Sequence, residues 1–301
     1  MQKPPPFDKG GKGCIFSSNR VLDITEMKVC YTGWTWIKSK DPQEAKQQLE
    51  QSFRECKFLG YDYVENFAFI SDFYKDDPQE LVRLAKDCGV EIVNLYGHFT
   101  LDVEASIEMG KKQMDFLAAT GIPFYNCQHG GFSEAPWERE TCPEMLDKIC
   151  YIANEVGKYG KERGVTLCFH PHYGTCVLTK SDIDYFCAHT DPEYVSLCID
   201  TAHTTLGGMN PAELVKEYGS RLAFVHLKDV DTFALRSAEG SDKMATFRAL
   251  GHGTVNFQEF KAALEEIGYD GVLCVELDRP EVGNFHSAEV SRIYIKDVLG
   301  L

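Results

Sequence analysis

Residues 195–200 read VSLCID, a mostly apolar run that ends on a carboxylate. A run of this kind is typical of a strand that is covered on both faces of a parallel sheet. Seven further runs share this character: MKVCYTG (27–33), YDYVENF (61–67), VEIVNLYG (90–97), IPFYNCQ (122–128), VTLCFH (165–170), LAFVHLKD (222–229) and GVLCVEL (271–277). Amphipathic stretches lie between them, and most end at glycine, as helices do. Eight strand-then-helix units predict an α/β fold, a (β/α)8 TIM barrel.

The chain has 301 residues, and no linker or break in composition divides it. We therefore expect one barrel domain over residues 28–301, preceded by an N-terminal arm over residues 1–27 that is partly flexible. The arm begins MQKPPPFDKGGKG, whose Pro, Gly and Lys do not build packed structure. The rival fold is an open doubly wound sheet, which needs a glycine-rich phosphate turn after its first strand. The segment YTGWTWIKSK (31–40) is not such a turn.

The net charge of −15 argues against a nucleic-acid partner, because contact with a phosphate backbone needs a basic surface. No apolar run approaches the roughly 18 residues of a membrane span, and the first residues carry no hydrophobic signal core. None of the 12 cysteines forms a CxxC pair. Cysteines in apolar stretches are expected to be small buried core residues in a reducing compartment, and they are Cys30, Cys127, Cys168, Cys198 and Cys274. These features predict a cytoplasmic protein without a nucleic-acid or membrane partner, and they leave a homo-oligomer open.

Polar side chains collect where the predicted strands end. TIM barrels carry their active sites at the C-terminal ends of the strands. In chain order, these ends present Trp34, Trp36, Glu65, Asn66, His98, Gln128, His129, His170, His172, Asp200, His203, His226, Lys228, Asp229, Glu276 and Asp278. Six of the nine histidines of the chain are in this set. Histidines and carboxylates that converge from several strands indicate a site for a divalent metal.

Asp200, His226 and Glu276 are the strongest candidate ligands, because they stand at three matching strand ends. His170 and His172 lie two residues apart, so on a strand they would face the same side. One of them would then bind the metal, and the other would act as an acid or base. The alternative is that one histidine caps the strand and the other packs in the core. The predicted cofactor is one divalent ion, Mn, Co or Zn.

Two further features have alternative interpretations. Lys228 follows His226 by two positions and would point with it to the barrel mouth, where its ammonium could neutralise an oxyanion. Alternatively, Lys228 forms a surface ion pair with Asp229. Trp34 and Trp36 are also two residues apart, so we expect both to face one side. They would form either an aromatic wall against a sugar ring or part of the core.

Four stretches resemble the xylose isomerase-like barrel superfamily: CIDTAH (198–203), VHLKD (225–229), LGHGTVNF (250–257) and GYDGVLCVEL (268–277). The resemblance runs from about residue 28 to residue 280. It implies one divalent metal, held by a Glu on the fifth strand and then by Asp, His and Glu. The last three ligands fall on Asp200, His226 and Glu276. The fifth-strand Glu is missing, and His170 stands in its place.

Within this superfamily, HPHYGT (170–175) resembles the HHHMGT stretch of the inosose dehydratases. That resemblance implies a metal-dependent lyase that removes water from inosose (2-keto-myo-inositol), a cyclic polyol ketone. Glu276 or His170 would take the α proton, and Lys228 would bind the oxyanion. The residues expected to contact this sugar-like or cyclitol substrate are Trp36, Glu65, His98, Gln128, His129 and His203.

Other functions stay open. They are a ketose isomerase or 3-epimerase of the same superfamily, the barrel subunit of a C-glycoside-cleaving enzyme, and a ligand-binding barrel without catalysis. The endonuclease IV group carries an extra Asp-x-His whose places hold Ala245 and Phe247, which argues against DNA repair. The epimerases need a matched pair of glutamates, one of which is replaced by His170, so elimination is favoured. We expect His170 at a solvent-facing mouth, where His170→Glu changes activity more than stability.

Overall fold

The computed structural model describes residues 27–129 and 142–301. It contains the strands β1 (Lys28–Thr32), β2 (Tyr63–Phe67), β3 (Glu91–Phe99), β4 (Phe124–His129), β5 (Thr166–Phe169), β6 (Val195–Asp200), β7 (Leu222–Leu227), β8 (Asp229–Val230), β9 (Phe247–Arg248) and β10 (Val272–Val275). Eight of them form a closed parallel barrel in the order β1-β10-β7-β6-β5-β4-β3-β2. Each predicted run supplies one barrel strand, so the TIM barrel is confirmed. Residues 1–26 of the expected arm lie outside the described residues.

Helices surround the barrel. They are α1 (Pro42–Phe58), α2 (Pro78–Cys88), α3 (Val103–Thr120), α4 (Pro143–Lys161), α5 (Lys180–His189), α6 (Thr201–Leu206), α7 (Pro211–Tyr218), α8 (Thr232–Leu235), α9 (Phe257–Glu266) and α10 (Asn284–Tyr294). Proline occupies the first turn of α1, α2, α4 and α7, where its missing N–H costs nothing. Local sequence therefore sets where these helices begin, and the strand ends they follow face the barrel mouth.

The barrel interior is built in layers, because residues two apart on a strand face the same side. A buried apolar layer contains Cys168, Cys198, Phe224 and Cys274. Two residues after each member of this layer, the inward position is polar: His170, Asp200, His226 and Glu276. The register supports this layer, since Asp200 pairs with His226 between β6 and β7. The alternation of the strands therefore places a polar layer directly on an apolar one.

The cysteines expected in the core are buried free thiols: Cys30, Cys127, Cys168, Cys198 and Cys274. Burial raises the pKa of the Cys168 and Cys198 thiols, which keeps them protonated and apolar in character. The prediction that they are small core residues is confirmed.

The connection from β7 to α9 departs from a simple loop. β8 and β9 pair there as an antiparallel ribbon. The buried carboxylate of Asp229 accepts hydrogen bonds from the backbone N–H groups of Val230, Gly251, Gly253 and Val255. A Cβ at Gly253 would lie 2.2 Å from the Asp229 carboxylate, so only glycine allows this approach. Asp229 thus fixes the loop beside the barrel mouth and forms no surface ion pair with Lys228.

Among the described helices, none is both long and apolar enough to cross a membrane.

Candidate metal centre and active site

Four side chains from four strands meet at one point of the barrel mouth. His170 directly follows β5, Asp200 ends β6, His226 lies in β7 and Glu276 directly follows β10. Their potential ligand atoms all lie within 4.8 Å of one another, and all four residues are buried. The structure thus brings together four of the five residues that the sequence analysis named as metal ligands.

Short contacts join these four residues. His226 Nδ1 lies 2.9 Å from Glu276 Oε2 and 4.0 Å from Asp200 Oδ2. His170 Nε2 lies 3.6 Å from the same Asp200 oxygen. Asp200 is held in place because its Oδ1 accepts a hydrogen bond from the His203 backbone N–H at the start of α6. Its Oδ2 is therefore the oxygen that faces the cluster.

These atoms fit a divalent metal ion. Both ring nitrogens of His170, Oδ2 of Asp200 and Nδ1 of His226 are buried without a hydrogen-bond partner among the described residues. The 2.9 Å contact between His226 and Glu276 lies off the direction of a hydrogen bond. Buried polar atoms without partners are costly, and one cation would satisfy one ring nitrogen of His170 together with Oδ2 of Asp200 and Nδ1 of His226. Two imidazoles with two carboxylates suit Zn, Mn or Co, whereas Mg prefers oxygen ligands.

The two carboxylates of the cluster stay ionised. Burial works against the charge of Glu276, but Lys228 and His226 outweigh it and hold its pKa well below the usual range. Burial likewise opposes the charge of Asp200, but Lys228 and His170 lower its pKa. Burial lowers the pKa of His170, so this imidazole is neutral near pH 7. Ionised carboxylates and neutral imidazoles are the forms that bind metals.

His172 lies apart from the cluster. Its Nδ1 is 2.6 Å from the Tyr173 carbonyl oxygen, and its ring packs 3.7 Å from the ring of His203. β5 ends at Phe169, so residues 170–172 do not continue the strand. The strand geometry expected for this pair is therefore absent, although the His172 ring lies 5.5 Å from the His170 ring and both rings lie near His203. His170 joins the candidate ligands, and His172 does not.

His203 is fully buried beside the cluster. Its Nδ1 accepts a hydrogen bond from the Tyr173 backbone N–H at 3.2 Å, and its Nε2 lies 3.3 Å from Lys228 Nζ. Burial, His172 and Lys228 lower the pKa of His203 well below its ordinary value. Burial, with smaller contributions from His170 and Lys228, lowers the pKa of His172 to about 3. Both rings are therefore neutral near pH 7.

Lys228 is a buried cation at the edge of the cluster. Its Nζ lies 2.9 Å from Glu276 Oε2, 3.1 Å from Asp278 Oδ2 and 3.7 Å from Asp200 Oδ2. Burial favours the neutral amine, but Asp278 and Glu276 outweigh it and raise the pKa of Lys228. The alternative of a surface ion pair is wrong, and the Lys228 side chain is a protonated ammonium near pH 7.

Glu65 was expected to contact substrate, but the structure places it behind His226. β2 continues to Phe67, so Glu65 lies below the end of its strand and is fully buried. Its Oε2 lies 2.9 Å from His226 Nε2. The side-chain amides of Asn94 and Asn126 donate to the same oxygen at 2.5 and 3.4 Å.

The other expected substrate contacts differ in exposure. His98 on β3 is exposed, and it pairs in register with Gln128 on β4. Gln128 is buried, and its Oε1 has no hydrogen-bond partner among the described residues. His129, at the end of β4, is buried as well. All three stay predicted substrate contacts at the mouth.

The two tryptophans diverge. Residues Trp34–Trp36 form a 3-10 helix, in which residues two apart point to different sides. Trp36 is buried and donates through Nε1 to Glu55 Oε2 on α1 at 2.6 Å. Trp34 instead stacks on Phe67, with ring centroids 4.7 Å apart. The expectation that both face one side is therefore wrong, and Trp34 rather than Trp36 joins the stacked rings of Phe67 and Tyr96.

Two residues near the cluster, Tyr96 and Asp278, were not among the site residues predicted from the sequence. The ring of Tyr96 lies 5.4 Å from that of His170 and 5.7 Å from that of His226. Counting two residues back from His98 on β3 finds it. Asp278 contacts Lys228, and burial raises the Asp278 pKa to about 6 even though Lys228 opposes the shift. Its place two residues after Glu276 is the signal that could have included it.

The sequence of this chain is similar to those of known TIM-barrel proteins. A family model described as xylose isomerase-like TIM barrel matches residues 53–294. An inosose dehydratase from Clostridium beijerinckii is 32% identical over 91% of this chain and 97% of its own length. An inosose dehydratase from Geobacillus thermodenitrificans is 32% identical over 95% of this chain and all of its own length (100%).

Solved structures share the fold. The IolI protein with a bound zinc atom superposes with a TM-score of 0.72 at 20% identity, covering 91% of this chain and 98% of that one. An L-ribulose 3-epimerase gives 0.72 at 15% identity, covering 91% and 95%. At such identities the likeness concerns the fold alone. The family model and the relatives that span nearly the whole chain decide the classification: the chain belongs to the xylose isomerase-like TIM barrel family.

Proposed function

We propose that the protein is a cytoplasmic, metal-dependent lyase that removes water from inosose (2-keto-myo-inositol), a cyclic polyol ketone. The relatives named inosose dehydratase support this reaction. The structural observation that carries the proposal is the pair formed by the ionised carboxylate of Glu276 and the buried ammonium of Lys228, 2.9 Å apart beside the candidate metal ligands. Loss of water from a ketone needs one group that accepts a proton and one that donates a proton.

His170, Asp200, His226 and Glu276 are the residues that would hold the ion. When bound, a divalent ion supplies a Lewis acid that polarises the ketone oxygen. Glu276 is ionised, so we assign it the removal of the α proton. His170, His172 and His203 are neutral near pH 7, so we do not assign the role of a charged acid to any of them.

We therefore assign proton donation to Lys228, which delivers a proton to the departing hydroxyl so that water leaves. All hydroxyls of 2-keto-myo-inositol are equatorial. The axial α hydrogen and the neighbouring hydroxyl consequently leave from the same face of the ring. Groups 2.9 Å apart contact a bound ring from one side, as this elimination requires. Epimerisation needs an acid and a base on opposite faces.

The remaining polar groups at the mouth suit a substrate rich in hydroxyls. Gln128 has a buried amide oxygen without a hydrogen-bond partner in the described part of the chain. His172 and His203 present neutral rings near Lys228. We assign these three residues, together with His98 and His129, to the binding of ring hydroxyls.

The test is to incubate the protein, loaded with Mn or Co, with 2-keto-myo-inositol and separately with ketohexoses. We expect an ultraviolet-absorbing enone-type product from the inosose alone. Glu276→Gln and Lys228→Met should each lower kcat by about 10²-fold or more. Lys216→Met is the matched control, since Lys216 is half-exposed and pairs with Glu266 on the surface.

Two outcomes would overturn the proposal. Interconversion of ketohexoses without loss of water would assign the protein to the epimerases. Tight binding of the inosose by the metal-loaded protein without turnover would identify a ligand-binding barrel.

A further inference from the structure

The imidazole of His226 lies between two carboxylates. Its Nδ1 faces Glu276 and Asp200, the carboxylates of the candidate metal cluster, at 2.9 and 4.0 Å. Its Nε2 faces the other way and lies 2.9 Å from Glu65 Oε2. Only one of the two nitrogens can point at an ion held by the cluster, and that nitrogen is Nδ1.

Glu65 is surrounded by donors rather than by groups that would share a cation with it. Asn94 Nδ2 and Asn126 Nδ2 both donate to its Oε2, at 2.5 and 3.4 Å. Although Glu65, His226 and Cys274 are close enough to hold an ion, amide N–H groups aimed at the carboxylate oppose one there. Glu65 also lies on the Nε2 side of His226, away from the Glu276 carboxylate that faces Nδ1.

The two asparagines are themselves fixed. Asn94 pairs in register with Glu65 between β2 and β3. The Oδ1 of Asn94 accepts the backbone N–H of Asn126 at 2.8 Å, which ties β3 to β4 and determines that its Nδ2 points at Glu65. Three adjacent strands therefore hold the Glu65 carboxylate in one position.

We infer that Glu65 is a positioning residue, which accepts the Nε2–H of His226 and thereby presents Nδ1 as the ligand nitrogen to the metal. A histidine that binds a metal commonly donates its other N–H to a carboxylate, which fixes its tautomer and orientation. The Asn94–Asn126 pair keeps the carboxylate aligned for this contact. The inference rests on the metal site of the proposed function, but not on its substrate or its reaction.

The first test is the metal affinity of the purified protein, measured by calorimetry with Mn or Co after removal of bound metal. Loss of such a partner weakens metal binding by about 10–100-fold. Glu65→Gln keeps an acceptor oxygen but loses the charge, so its loss of metal affinity should lie near the lower end of this range. Glu65→Ala loses both the oxygen and the charge, so its loss of metal affinity should lie near the upper end. Gln113→Ala is the matched control, since it removes a different buried hydrogen bond, to Ser71, and should leave metal affinity unchanged.

The second test reads the tautomer directly. In the zinc-loaded protein labelled with 15N at histidine, with the signals of His226 assigned through His226→Gln, two-bond 1H–15N spectra should show Nε2 protonated and Nδ1 bound. Glu65→Ala should broaden or shift these signals. An Nδ1–H tautomer, or an unchanged metal Kd in both Glu65 variants, would overturn the inference. If the wild-type protein binds no metal, the inference and the metal dependence of the proposed function both fail. If it binds metal but does not dehydrate the inosose, only the proposed function fails.

Discussion

Buried charge is the dominant feature at the scale of single residues. Burial favours the neutral imidazole of His226, but Glu65 and Glu276 raise its pKa well above the ordinary value. In the metal-free protein this cation and the Lys228 ammonium therefore face the carboxylates of Glu65, Asp200, Glu276 and Asp278. These carboxylates outnumber the two cations, and a divalent ion that replaces the His226 proton would offset more of their charge. Buried charges without such compensation are strongly destabilising, so we expect the stability of this protein to depend on its metal.

His170→Glu tests that balance. The sequence analysis expected this change to spare stability because it placed His170 at a solvent-facing mouth, but the residue is fully buried. A further carboxylate beside Asp200 and Glu276 should lower the free energy of unfolding of the metal-free protein by about 3–5 kcal/mol. Added Mn or Co should recover most of the loss. Urea denaturation with and without a chelator measures both.

The control for this substitution is His252→Glu, which places the same charge on an exposed residue of the loop before α9. This substitution should leave the free energy of unfolding nearly unchanged, both with and without the chelator. If the metal-free His170→Glu protein were as stable as the wild type, the buried cluster would not carry the charge described here.

At the scale of elements, the strands follow from the sequence and the segments after them do not. Each barrel strand lies in a mostly apolar run, which a single sequence reveals. The 3-10 helix at Trp34–Trp36 and the irregular segment after β5 are too short to carry a periodic pattern. Both tryptophans and both histidines of the HPH stretch were therefore assigned strand geometry that they do not have. Local segments, rather than strands, decide which side chains reach the mouth.

The loop after the β8–β9 ribbon depends on one side chain. Asp229→Asn replaces one carboxylate oxygen by an amide N–H₂, so two of four backbone donors lose their acceptor. Each buried donor left without a partner costs about 1–3 kcal/mol. We expect the free energy of unfolding, measured in urea, to fall by a few kcal/mol. The exposed Asp270→Asn serves as control, and equal stability of the two variants would show that the loop does not depend on Asp229.

At the scale of the whole molecule, closure of the barrel brings distant residues together. Glu65 and His226 are 161 positions apart in the chain, yet they share a hydrogen bond. The sequence could name the strand ends on which Asp200, His226 and Glu276 stand, since apolar runs ending in polar residues mark them. It could not show that Lys228 is buried, because its partners Glu276 and Asp278 belong to the far end of the chain. Long-range ion pairs of this kind become visible only when the barrel is closed.

We expect loss of water from the inosose to require a metal held by this cluster. The most direct measurement is the rate at which ultraviolet-absorbing product forms from 2-keto-myo-inositol as Mn or Co is added back to chelator-treated protein. We predict no turnover without metal, a rise to a plateau at one ion per chain, and no recovery by Asp200→Asn at the same metal concentration. Full activity in the chelated protein, or the absence of product at every metal concentration, would contradict the account.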